Sequence, residues 1–189
     1  MRVKEFIVEG RATPILVVDI QPAYHTHCSR IVKQVMQLIN KQKGDVIVLY
    51  NDQEMSNDTV EDVFGYFEDN GLDNNSTIER ISWHEKQYAF LRNWMDTNVP
   101  DEAIIKVIRM MAQNKIHDSR DLHIDDILEK YGIDKENNIY MPDYVPIALL
   151  KRISPFYMVG GGRTECLREI ELICNAFNIR YKRIDSLIY

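Results

Sequence analysis

The chain has 189 residues, 45% of them hydrophobic and 28% charged, with a formal net charge of −6. That size and apolar content suit one globular domain with a sizeable core, spanning residues 1–189, and leave no room for a second full domain. Net acidity excludes a general nucleic-acid or membrane-surface binder, whose electrostatic footprint is basic, and the three cysteines, without a CxxC pair, suit reduced thiols rather than a disulfide frame.

The first residues, Met1-Arg-Val-Lys-Glu-Phe6, lack an apolar signal core, and no apolar run approaches the roughly 20 residues of a membrane span. The expectation is a soluble, cytoplasmic protein. Val3 to Val8 can add an edge strand. Ile15-Leu-Val-Val-Asp-Ile20 is a β-branched run after Pro14, as expected of a strand buried on both faces of a parallel sheet. Ile31, Val35, Leu38 and Ile39 recur at helical spacing between Ser29 and Gln42, and Gly44 stops that helix before a second strand, Val46 to Tyr50. A second amphipathic helix runs from the cap residues at Asn57 toward Gly71, with Val60, Val63, Phe64 and Phe67 inward.

Asp73 to Thr77 is loop-like, and Gln87 to Met95 predicts a third helix with Phe90, Leu91 and Trp94 buried. Ala103-Ile-Ile-Lys-Val-Ile108 after Pro100 reads as the third strand. Residues 110–153 form a helical excursion containing pieces at Asp121 to Lys130 and Pro146 to Arg152. Phe156 to Val159 is the fourth strand, Thr164 to Phe177 its helix, and Ile179 to Ile184 the fifth strand. The fold class is α/β: a three-layer, mostly parallel open sheet of about five to six strands with helices on both faces.

In such sheets ligands bind beyond the carboxyl ends of the strands. Asp19 ends the first strand, Lys106 lies in the third, and Cys166 follows the fourth through Gly160-Gly-Gly162. Thr164 as N-cap puts Cys166 at the second helical position, where orphan N–H groups and the macrodipole favour a thiolate and can hold an oxyanion. Cys166, Ile170, Ile173 and Phe177 lie within about 40° of one another on the wheel, so the same residue also reads as a small core hydrophobe. Asp19 can take the thiol proton, Lys106 can favour the thiolate, and the turn residues Gly161, Gly162, Thr164 and Glu165 can frame the oxyanion. Tyr24 and His25 are placed to line a substrate crevice. His25, His27 and Cys28 supply at most two metal ligands with easy geometry. The glycine turn, with Asp185 ending the next strand, also fits a nucleotide cradle, although Glu165 stands where a third glycine belongs. A third alternative is an interaction protein that meets its partner through the acidic 51–75 segment and the Tyr-rich tail, with Cys166 inert.

Val17-Val-Asp-Ile-Gln21, the apolar run around Lys106 and Gly162-Arg-Thr-Glu-Cys-Leu167 before a helix resemble the isochorismatase-like cysteine hydrolases. The resemblance implies an Asp19–Lys106–Cys166 triad, hydrolysis of a small-molecule amide or related C–N or C–O bond through a covalent thiol intermediate, and a possible homo-oligomer. The chain departs from the family in having Thr164 two rather than three residues before the cysteine. It also has Asn51-Asp-Gln-Glu54, without histidine, where some members bind a metal, so neither metal nor cofactor is expected. The intact glycine run also resembles uncharacterised proteins of large tailed phages, which implies no activity. A family fold retained without catalysis, binding a nucleotide or a protein, is the alternative.

Overall fold

The structure, a computed structural model, describes residues 7–8, 11–51, 56–73, 77–86, 92–95, 98–134, 136, 139 and 147–189. Five parallel strands form one sheet: β3 (Ile15–Val18), β4 (Val46–Asn51), β5 (Ile81–Lys86), β6 (Phe156–Gly160) and β7 (Tyr181–Arg183), in the order β5-β4-β3-β6-β7. Ile15 pairs with Val46 on one side and with Tyr157 on the other, which sets the register of the three central strands. β3, β4 and β6 are buried along their whole length, so their uninterrupted apolar runs are what a sheet covered on both faces requires. A short antiparallel pair, β1 (Ile7–Val8) and β2 (Arg11–Ala12), forms its own sheet, so Ile7 and Val8, the described end of the expected Val3 to Val8 edge strand, do not join the main one. Residues 3–6 lie outside the described residues.

The two faces carry separate apolar clusters because side chains alternate along a strand. Ile15, Val17, Val46, Val48 and Val159 pack against α1 (Val32–Lys41) and α2 (Val60–Asp69). Leu16, Val18, Ile47, Leu49 and Met158 pack against α3 (Asp101–Asn114), α4 (Asp125–Tyr131), α5 (Ile147–Ile153) and α6 (Cys166–Ala176). α1 presents Val32, Val35, Met36 and Ile39 at i, i+3, i+4 and i+7. α2 opens with a reciprocal capping box, in which the Asp62 N–H donates to Thr59 Oγ1 at 3.1 Å and the Thr59 N–H donates to Asp62 Oδ2 at 2.8 Å. The result is the three-layer α/β sandwich expected from the alternating pattern.

Two elements differ from the expectation, and together they move a candidate residue. Ala103 to Ile108 is not a strand but part of α3. Ile104, Val107, Ile108 and Met111 form its buried stripe, and Asp101 and Glu102 occupy its first turn, where they suit the positive end of the helix. Lys106 falls between the stripe positions and is exposed. The third strand is Ile81–Lys86, the edge of the sheet, where Trp83 packs on Phe64 and Phe67 of α2. Its last residue, Lys86, stands opposite Asn51 in register. Of the helix expected over Gln87 to Met95, residues 92–95 are helical and Trp94 is fully buried. Phe90 and Leu91 lie outside the described residues.

Candidate functional site

The strand order places a topological switch between β3 and β6: the chain builds outward through β4 and β5, then crosses back to lay β6 on the other side of β3. In open α/β sheets the crevice beyond the carboxyl ends at such a switch is where ligands bind. Asp19 closes β3 on one lip of that crevice, and the glycine turn from β6 into α6 forms the other.

Asp19 is fully buried and has a left-handed backbone, with φ of 49°. Aspartate tolerates that region better than most residues, yet a non-glycine outlier of this kind is held only where its surroundings fix it. The Asp19 N–H donates to Leu49 O at 2.9 Å, and its carbonyl accepts from the Tyr189 hydroxyl at 3.0 Å. Gln21 then replaces the strand ladder with its side chain. Its Oε1 accepts from the Asn51 N–H at 2.9 Å, and its Nε2 donates to Asp58 Oδ2 at 2.8 Å and to Asn51 O at 3.4 Å. Asp58 Oδ2 also accepts from the Ala23 N–H at 3.0 Å, and Asn51 Nδ2 donates to the Tyr24 hydroxyl at 2.6 Å. Gln21, Asn51 and Asp58 are all buried, so this polar net fixes the loop after β3 against the end of β4.

The opposite lip is built from two left-handed glycines, Gly160 (φ 77°) and Gly161 (φ 66°). A Cβ on Gly160 would stand 2.3 Å from Val18 O, so only glycine lets β6 end this close to β3. Cys166 opens α6 at its first position, one earlier than expected, because Glu165 rather than Thr164 occupies the N-cap position. No side chain caps this end, and Thr164 and Glu165 are exposed. The Glu165 and Leu167 N–H groups both donate to Gly162 O at 3.1 Å, so neither is aimed at a ligand, contrary to the expected role of Glu165 in an oxyanion turn. Cys166 is 5% exposed and belongs to the α3–α6 core cluster. Arg168, in the same turn, ties α6 to the start of α3 by donating to Asp101 Oδ1 at 2.7 Å and Met95 O at 3.3 Å. Glu169, one turn beyond Cys166, is 1% exposed.

Tyr189 joins the two lips. Its N–H donates to Gly161 O at 3.3 Å, its carbonyl accepts from the Arg163 N–H at 2.8 Å, and its ring stacks on His27 with centroids 6.0 Å apart. Burial pushes its phenol far up, and the charges of Asp19, Cys166, Cys28 and Tyr24 add to the rise. Tyr189 thus bonds both the Asp19 carbonyl and the glycine turn that leads into Cys166, whereas Lys106 is carried on the exposed side of α3. Gln21 closes the Val17–Gln21 motif and Asn51 is a polar residue ending an apolar strand, but nothing in the sequence shows that they bond each other, and no motif marks Asp58 or Tyr189.

The remaining candidates are accounted for locally. His25 Nδ1 hydrogen-bonds the Tyr66 hydroxyl at 2.9 Å, and Cys28, fully buried with its thiol pushed up by that burial, lies 3.5 Å from the same hydroxyl. Asp185 forms ion pairs with Arg163 and Arg183, each at 3.0 Å, on the surface, so it is not disposed to hold a ribose. A cleft of about 820 Å³ opens at the other end of the sheet, lined by Lys43, Gly44, Arg80, Ser82, Arg152 and Pro155. It lies at the amino ends of the strands, away from the switch-point crevice, and its Arg80 is engaged with Gly44 O at 2.6 Å and Ile39 O at 3.4 Å. Among the described residues, no group of three or more His, Cys, Asp and Glu side chains could hold a metal, and no helix is long and apolar enough to cross a membrane. Comparison with protein-family models, curated proteins and solved structures gives no match to this chain.

Proposed function

We propose that the chain is a cysteine-dependent hydrolase of the isochorismatase-like type, acting on a small-molecule amide or related C–N bond. One observation carries this reading: Asp19, fully buried and in left-handed backbone, stands at the topological switch one residue past the Val18–Gly160 pair, from which the turn into Cys166 departs. Strained backbone and buried charge are costly, and proteins retain them together most often at functional sites.

In the proposed reaction Asp19 accepts the Cys166 thiol proton as the sulfur attacks the carbonyl carbon. An S–C bond forms, and the C–N bond breaks as the amine leaves with the proton returned from Asp19. Asp19 next takes a proton from water, the hydroxide attacks the thioester, and the S–C bond breaks as the proton held by Asp19 passes to the sulfur, releasing the acid and restoring both the thiol and the base. The sum is amide plus water giving acid plus amine. Lys106 has no part in this scheme. The Glu165 and Leu167 N–H groups are engaged by Gly162, so the oxyanion must be met by other donors.

The test is turnover across a panel of small primary amides by wild-type, Cys166→Ser and Asp19→Asn proteins, with ammonia release as the signal. Loss of the nucleophile should remove all turnover above background, and loss of the base should lower it about 10²–10⁴-fold. Undiminished turnover by Cys166→Ser would remove the basis of the proposal.

A further inference from the structure

Both groups assigned to the reaction are closed off, Asp19 at 0% and Cys166 at 5% exposure, so a substrate can enter only after something moves. The segment after β7 lies across this end of the sheet. Leu187 is buried with the α1–α2 cluster, and Ile188 is buried with the α3–α6 cluster. These two side chains anchor the segment into both faces. Tyr189 beyond them is only half-buried, and it is held by the three hydrogen bonds and the His27 stacking already described.

Two of those bonds straddle the glycine turn, at Gly161 O and the Arg163 N–H, and the third ends on the Asp19 carbonyl. Each is a single neutral hydrogen bond of modest net strength, so Tyr189 can lift off while Leu187 and Ile188 stay in the core. The displacement frees the turn before Cys166 and the backbone of Asp19 at the same moment. Because burial keeps the phenol protonated, its hydroxyl remains a donor across the working pH range.

We propose that Tyr189 is the access gate of this crevice: latched between Asp19 and the glycine turn it closes the route to Cys166, and its displacement admits the substrate. The inference rests on the hydrolase reading for its purpose but not for its test. The probe is iodoacetamide, with which the Cys166 sulfur forms an S–C bond and expels iodide. Per-cysteine rates are read by peptide mass spectrometry in the wild-type, Tyr189→Phe and Tyr189→Ala proteins.

Cys174 is the internal reference, being fully buried with its thiol pushed up to about 12 by burial and the charge of Glu171. With a closed form holding about nine-tenths of the molecules or more, Tyr189→Ala should speed Cys166 labelling about tenfold or more. Tyr189→Phe keeps the ring and both backbone bonds but loses the hydroxyl bond to Asp19 O, and should speed that labelling by an intermediate factor, roughly three- to fivefold. Cys174 should stay constant in all three proteins. An unchanged Cys166 rate in Tyr189→Ala would overturn the gate, and so would equal acceleration of Cys166 and Cys174, which marks general loosening. Alkylation needs no turnover, so the gate stands or falls separately from the Cys166→Ser result.

Discussion

Gly160→Ala is the sharpest perturbation of the geometry described, because the strain and the clash it introduces are both visible. At φ of 77° an alanine enters the left-handed region, which costs roughly 1–2 kcal/mol. Its Cβ would lie 2.3 Å from Val18 O and 2.8 Å from Ile20 Cγ1, so β6 must shift from β3, an overpacking cost of about 1–3 kcal/mol. The sum is roughly 2–5 kcal/mol, against which a stiffer unfolded chain returns less than about 1 kcal/mol. At about 2–4 °C per kcal/mol for a chain of this size, the melting temperature should fall by roughly 2–20 °C.

Gly65→Ala is the matched control. That glycine lies inside α2 with open space around its Cβ position, so alanine should stabilise by about 0.5–1 kcal/mol. Urea titration of both variants beside wild type separates the two effects. A Gly160→Ala midpoint equal to or above wild type would refute the close approach of β6 to β3 on which the crevice depends.

Two further outcomes are expected. Burial, and then the charge of Arg152, lower the His84 pKa in the folded protein, so the unfolded chain binds the proton more readily. Stability should therefore fall as pH drops through about 6.5 and level off below the folded value, and His84→Asn should flatten that part of a pH–stability curve measured by urea denaturation. Lys106→Ala, on the exposed side of α3, should change stability by no more than about 0.5 kcal/mol and leave amide turnover unaltered; a large loss of turnover would restore it to the site.

The legible parts of the fold are those where burial on both faces leaves one solution. β3, β4 and β6 are continuous apolar runs, and their positions follow from sequence alone. The edge strand β5 alternates Ile81 and Trp83 with Ser82 and His84, a period-two signal kept short by its place at the sheet margin. The Ala103 to Ile108 run shows the converse ambiguity. Its β-branched residues suit a strand, and only the continuation of the stripe to Met111 reveals the helix. Read as a strand, the run places Lys106 in the triad; as a helix, it carries Lys106 to the exposed side. Asp19 and Cys166 were legible because strand ends and glycine turns are local. Tyr189 was not, because its hydroxyl meets Asp19 across 170 residues of sequence, a juxtaposition that only the assembled sheet creates.

The account turns on Cys166 acting as a nucleophile served by Asp19. Incubation with p-nitrophenyl acetate, followed by intact-protein mass measurement and peptide mapping, reports the acyl group itself. The account predicts one acetyl on Cys166 with a matching burst of p-nitrophenol, lost in Cys166→Ser and slowed in Asp19→Asn. Acetylation confined to other residues, with Cys166 unmodified in the wild-type and Tyr189→Ala proteins alike, would contradict it.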